Sequence, residues 1–243
     1  YTAANSNYHA LQVAANKRFS RGVNFQLNYA WAKAIDEGST SEIADNYGQQ
    51  DPLNRGADRG LGDFDIRHRL TASWIYEIPA PRMQNKVLPL VIGGWQVSGI
   101  LVLSSGTPFT VVSGVDRSLR GVGRDRPDLL ADPRLSDDRP RGETLARYFD
   151  TSKFALNREG QFGSSGRNTL IGPGTANVNL GLSKRFPLGW EGKGLQFRAE
   201  AFNALNRPDF GNPGANLSAP ANFGRITSAG AGRALQLALK LEF

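Results

Sequence analysis

Seven segments of this chain alternate apolar and polar residues over roughly ten positions each, and this repeated pattern limits the fold more than any other feature. In "VNFQLNYAWAK", Val23, Phe25, Leu27, Tyr29 and Trp31 share one face, with Asn24, Gln26 and Asn28 opposite. The same period of two runs through "HALQVAANKRF", "HRLTASWIYEI", "WQVSGILVLS", "NVNLGLSKRF" and "LQFRAEAFNAL". The last segment, "LQLALKLEF", sets Leu235, Leu237, Leu239, Leu241 and Phe243 against Gln236, Lys240 and Glu242. Side chains of a strand alternate between faces, so this period predicts strands with one apolar and one wet side. About ten residues is the length of a tilted strand that crosses a bilayer. A soluble β-sandwich with one wet face is the alternative, but sandwich strands average only about five or six residues.

The connections between these segments alternate in length. Segments one and two are joined by the tight "SRG", three and four by "PAPRMQNKVLPLVIGG", and five and six by "PLGWEGKG". Between them run the long stretches Ile35–Arg67, Ser105–Ala176 and Asn206–Gly232. Short turns on one side and long loops on the other are the pattern of outer-membrane barrels, where the long loops are extracellular. The last strand then runs toward the periplasm. Phe19, Tyr76, Trp95, Phe186 and Trp190 fall near that same rim, where amphipathic rings favour the membrane interface. The predicted fold class is therefore all-β, an antiparallel transmembrane β-barrel segment with long extracellular loops. Bacterial single-chain barrels have an even strand number and no open edges. Seven strands are odd, so residues 1–243 are expected to be the C-terminal part of one larger barrel domain, with N-terminal strands absent. Tyr1 opens directly onto "TAANSN" without a leader-like stretch, which fits the same expectation.

Composition narrows the partners. There is no cysteine, which removes disulfides and thiolate metal sites. No apolar stretch reaches the roughly 18 residues of a transmembrane helix. The formal charge of +7 is scattered, without a Lys/Arg run interleaved with aromatics, so nucleic acid is not an expected partner.

Several stretches resemble one family. "YHALQVAANKRFSRGVNFQLNYAWAKAID", "GDFDIRHRLTASWIYEIP", "GGWQVSGILVLSSGTPFTV", "LQFRAEAFNALNRPDFGNP" and "FGRITSAGAGRALQLALKLEF" are similar, in this order, to barrel segments of TonB-dependent receptors. The resemblance is especially to the Oar-like group with carboxypeptidase-regulatory-like N-terminal domains. It implies a plugged barrel of about 22 strands, of which this chain would be roughly the last third. It implies energised uptake of a scarce nutrient such as a metal chelate or glycan across the bacterial outer membrane. The plug and the segment that meets TonB have no counterpart in this sequence. The implied partners are outer-membrane lipid, lipopolysaccharide, the barrel assembly machinery and, through the absent N-terminal region, TonB. The ending resembles the terminal aromatic signal read by that machinery, which makes Leu239, Leu241 and Phe243 candidate assembly-signal residues.

The long connections carry charge but no recognisable chemistry. The first is acidic, with Asp36, Glu37, Glu42, Asp45, Asp51, Asp58, Asp63 and Asp65. It reads as a solvated loop with Asx turns or as an oxygen-ligand calcium site, without EF-hand spacing. The second is rich in arginine, and Arg117, Arg120, Arg124 and Arg126 are its candidate contacts to an anionic ligand or to lipopolysaccharide. The alternative is a surface loop salt-bridged within itself by Asp116, Asp125, Asp128, Asp132, Asp137 and Asp138. His9 and His68 have no second histidine or carboxylate at metal-ligand spacing. "GSSGRN" lacks the Lys-Ser/Thr and helix of a phosphate loop, and no serine has a nucleophile-elbow context. No catalytic, cofactor or metal residue is assigned, and no enzyme is expected. A small outer-membrane structural or adhesin barrel and a soluble β-sandwich binding module remain as alternative functions.

Overall fold

The computed structural model describes residues 4–39, 49–51, 53–79, 91–121, 125–189 and 193–243. Its seven long strands are β1 (Ser6–Ser20), β2 (Val23–Asp36), β4 (His68–Glu77), β5 (Trp95–Ser104), β10 (Thr175–Pro187), β11 (Gly194–Phe202) and β12 (Ala234–Glu242). They form one antiparallel meander in the order β1-β2-β4-β5-β10-β11-β12, with the two-residue β3 (Gly60–Leu61) added beside the end of β2. A sandwich would need two stacked sheets. Here a single large sheet carries all the long strands. Its edges, β1 and β12, do not pair with each other among the described residues.

The register turns seven separate alternations into one continuous pattern. Leu11 lies opposite Trp31, Phe25 opposite Trp74, and Ala72 opposite Leu101. Leu101 is opposite Val178, Leu182 opposite Ala199, and Phe197 opposite Leu239. A slip of one residue anywhere would carry a strand's apolar set to the other face. The opposite face aligns Asn28 with Thr71, Gln26 with Ser73, Ser183 with Arg198, and Glu200 with Gln236. Ile75, Ile100 and Val102 share this polar face and interrupt it.

Two glycines make the sheet geometry fit. The β1–β2 turn has positive φ at both Arg21 and Gly22, the twist that suits a two-residue hairpin. A Cβ on Gly22 would lie 2.8 Å from the Glu77 carbonyl oxygen, whose backbone N–H donates to the Gly22 carbonyl. Gly99 lies opposite Trp74, and the indole fills the space a side chain there would need.

Three strands run longer than the alternation alone suggests, while β11 ends at Phe202, short of the Leu205 end of its segment. β1 starts at Ser6, ahead of the His9 start, because Ser6, Asn7 and Tyr8 pair with Asp36, Ile35 and Ala34. β2 accordingly continues through Ile35 and Asp36, and β10 starts at Thr175.

The protein's buried apolar core lies outside the large sheet. Phe109, Val111, Phe149, Phe154, Leu170 and Phe223 cluster in a cap built by the second and third long connections. Within it, β6 (Pro108–Phe109) pairs with β9 (Leu170–Ile171), and β7 (Asp128–Leu129) pairs with β8 (Phe154–Ala155). A short helix, α1 (Arg141–Ala146), completes it. The third connection joins through a bridge of Asn216 to Val112 and is braced internally by one of Phe223 to Gly214. By contrast, many apolar residues of the sheet are exposed. Leu180 is 39% exposed and Leu237 74%. A contiguous exposed apolar surface of this kind needs a membrane or another apolar partner.

Candidate functional site

The two ends of the sheet differ in construction. At the turn rim, Phe19, Tyr76, Trp95 and Phe186 all lie near strand ends, while Trp190 lies outside the described residues. An open cleft of about 610 Å³ lies at this rim, lined by Glu77, Gln96, Ser183, Arg185 and Gln196 among others. Ion pairs order the polar face beside it: Arg185 Nε donates to Glu242 Oε2 at 2.7 Å, and Arg198 Nη2 to Glu200 Oε1 at 2.8 Å.

At the other rim the cap is latched to the first long connection. Arg167 is the centre of the latch. Its Nε donates to the Asp58 carbonyl at 2.8 Å and its Nη2 to the Asp36 carbonyl at 2.8 Å. The same guanidinium pairs with the carboxylates of Asp36 and Asp63. Its neighbour Asn168, held at positive φ, donates from Nδ2 to the Leu61 carbonyl at 2.7 Å and to Asp63 Oδ1 at 2.5 Å. Asp65 is buried, and its Oδ1 accepts the Ala34 N–H at 2.6 Å. One end of β2 is thus fixed by the loop that follows it.

The candidate arginines fall into different surroundings. Arg126 is buried, with Nη1 2.6 Å from Asp58 Oδ1 and Nη2 donating to the Ala57 carbonyl at 3.0 Å. Arg117 Nε donates to the Asn157 carbonyl at 3.0 Å. Arg120 is exposed, and its Nη1 donates to the carbonyls of Gln49 and Gln50. Arg124 lies outside the described residues. The structure therefore joins Arg126 and Arg120 to residues of the acidic connection and holds Arg117 on the Asn157 carbonyl. Asp125 is the organising anion of this turn, accepting the backbone N–H groups of Arg117 and Ser118 at 2.7 and 2.5 Å.

The acidic residues of the first connection are similarly engaged. Asp36, Asp58 and Asp63 meet Arg167 or Arg126, and Glu42 and Asp45 lie outside the described residues. Among the described residues no three His, Asp or Glu side chains are grouped to hold a metal ion. His68 Nδ1 instead shares a hydrogen bond of 2.8 Å with the Tyr29 hydroxyl.

Two cap groups titrate away from their ordinary values. Burial raises the Tyr148 phenol, and nearby Asp137 adds to the rise. The Ser152 hydroxyl, then Arg147, lowers the Asp150 carboxyl. At the far edge, Leu239 and Leu241 are exposed on the apolar face of β12, and Phe243 follows the strand at 94% exposure.

Sequence reading missed Arg167, Asn168 and Lys184. Arg167 and Asn168 sit in "GSSGRN", whose only motif-level signal was a phosphate loop that it lacks. Lys184 could have been found, because the alternation of Val178, Leu180 and Leu182 arrives next at a lysine.

A single antiparallel meander with one bare apolar face, one ion-paired polar face and a folded cap at one rim defines a transmembrane β-wall. Residues 1–236 match the family model of the outer membrane beta barrel domain, and the chain belongs to that family. Its location is the bacterial outer membrane. Comparison with curated proteins gave no match.

Proposed function

We propose that this chain is a section of the wall, with its extracellular cap, of a TonB-dependent transporter that takes up a scarce nutrient. The observation that carries the reading is the open sheet. The outer edges of β1 and β12 would leave N–H and C=O groups unpaired in hydrocarbon, at several kcal/mol per group. Further strands that satisfy both edges give a barrel wider than the described sheet, as in large plugged transporters. The resemblance of five ordered segments to TonB-dependent receptors supplies the energised mechanism. In this reading the apolar face meets lipid and the polar face lines the lumen. The cap lies outside the cell, and Leu239, Leu241 and Phe243 present the terminal strand to the barrel assembly machinery. Among the described candidate arginines, Arg117 and Arg120, which donate to backbone carbonyls, are assigned to an anionic nutrient or to lipopolysaccharide phosphates. Arg126 serves the cap. No bond-making chemistry is assigned to the chain.

The test is made in the source bacterium with the complete gene. Deletion strains would be grown on panels of metal chelates and glycans as limiting nutrient, with and without TonB. The reading expects one nutrient class whose use fails equally in the gene deletion and the TonB deletion. Use of that nutrient through this protein in cells lacking TonB would overturn it.

A further inference from the structure

Lys184 is out of place. It continues the apolar row of Val178, Leu180 and Leu182 on β10, directly between Trp95 of β5 and Phe197 of β11. A lysine on a lipid-facing wall is costly unless its ammonium is covered or reaches polar groups. Lys184 is only 4% exposed. Its Nζ donates to the carbonyls of Val91 and Gly93, at 2.9 and 2.5 Å, and lies 5.2 Å from the ring centres of both Trp95 and Phe186. Trp95 Nε1 donates to the same Val91 carbonyl at 2.9 Å. The returning end of the β4–β5 connection is therefore folded back over the apolar face and held there by two donors. Its own side chains point away from the protein, with Val91 58% and Ile92 47% exposed. Burying a lysine beneath a segment whose exposed residues are valine and isoleucine makes sense where that segment is covered by lipid.

We propose that this segment is an interfacial anchor. Lys184 clasps its backbone to the wall, and Val91 and Ile92 enter the acyl–headgroup boundary of the turn-side leaflet. Lys184 acts as a positioning residue; the aliphatic side chains make the lipid contact. The inference rests on the reading of the apolar face as the lipid wall. It adds that residues 91–94 reach outward from the barrel into phospholipid instead of ending in water. Trp95, set edge-on against Phe197 with ring centres 6.1 Å apart, fixes the height of the anchor at the aromatic rim.

The chain has no cysteine, so a single spin label can be placed cleanly. The complete protein would carry Ile92→Cys or, separately, Leu180→Cys. It would be reconstituted in vesicles of phosphatidylethanolamine and phosphatidylglycerol. Collision rates with oxygen, which concentrates in lipid, and with a water-soluble nickel chelate would be measured. Labels at both positions are expected to favour oxygen. Adding Lys184→Met should raise nickel collisions at position 92 several-fold and leave position 180 unchanged, while Lys184→Arg, which keeps the donors, should preserve the parent values. A label at 180 in lipid with one at 92 in water, in the parent protein, overturns the anchor. A label at 180 in water overturns the lipid-wall reading itself. A label at 92 in lipid that ignores Lys184→Met overturns the clasp. If Lys184→Met fails to insert, the parent label at 92 still decides the anchor, and Lys184→Gln repeats the test of the clasp.

Discussion

Replacing Phe149 with alanine should open the cap and leave the wall standing. Phe149 is 1% exposed and is the hub of the aromatic cluster. Its ring meets Phe223 at 5.2 Å and Phe154 at 5.7 Å edge-on, and Phe109 at 6.0 Å. Truncating a buried phenylalanine costs about 3–5 kcal/mol. Here the collapse that would soften the cost is limited, because Phe109 and Phe154 sit in separate two-strand ladders of the second connection and Phe223 in a bridge of the third. At about 1.4 kcal/mol per tenfold, the open population of the cap should rise roughly a hundredfold to a few thousandfold. Where opening and closing are fast relative to cleavage, proteolysis follows that population. Trypsin added to reconstituted or cell-surface protein should therefore cut the variant between Arg134 and Arg158 far faster than the parent. The heat-modifiable gel mobility of the folded barrel should not change. Unchanged cleavage would show that the aromatic cluster does not hold the cap. Loss of insertion would show that the cap and wall fold as one unit.

Three further outcomes follow from particular contacts. Asp58→Ala strands the buried Arg126 guanidinium and should destabilise the cap by about 3–5 kcal/mol, read as faster amide exchange at Gln50 and Arg126, whereas Asp132→Ala, in an exposed ion pair, should do almost nothing. The lowered Asp150 carboxyl favours the folded cap at pH values above the ordinary carboxylate range, and that contribution is lost as pH falls through the depressed value; amide exchange at Ser152 should show an acid step that Asp150→Asn abolishes. Deleting Phe243 removes an exposed ring worth about 2–3 kcal/mol at an interface, yet it should lower the amount of inserted protein much more than Leu239→Ala does; equal insertion would reduce Phe243 to one more rim aromatic.

The seven long strands were legible because each faces apolar surroundings on one side and polar surroundings on the other, and that contrast writes a period of two into the sequence. The register was not written locally. It emerges when Leu101 must match both Ala72 and Val178. The cap was illegible for a different reason. Its core residues are four phenylalanines with Val111 and Leu170, scattered over bends, bridges and two-residue strands too short to show any period. Arg167 likewise meets Asp36 and Asp58 only after two distant connections have folded together. The first two long connections read as surface loops because they are rich in charge, yet many of those charges pair with one another, and the second connection encloses a small hydrophobic core together with the third. Ile75, Ile100 and Val102 show that the polar face itself tolerates apolar residues, a detail that alternation alone blurs.

The most direct test of the two-faced wall is to place one charge on each face at similar height. Leu101 and Leu180 occupy the middle of the apolar face, while Ser73 is exposed on the polar face between Gln26 and Ile100. Gln196 is a poorer comparison, since its register neighbours Arg185 and Lys240 would repel an added cation. Urea unfolding of the complete protein in vesicles would be compared for Leu101→Arg, Leu180→Arg and Ser73→Arg. The account predicts a loss of about 2–4 kcal/mol for each apolar-face arginine and a change within about 0.5 kcal/mol for Ser73→Arg. Equal losses on both faces, or a larger loss at Ser73, would contradict it.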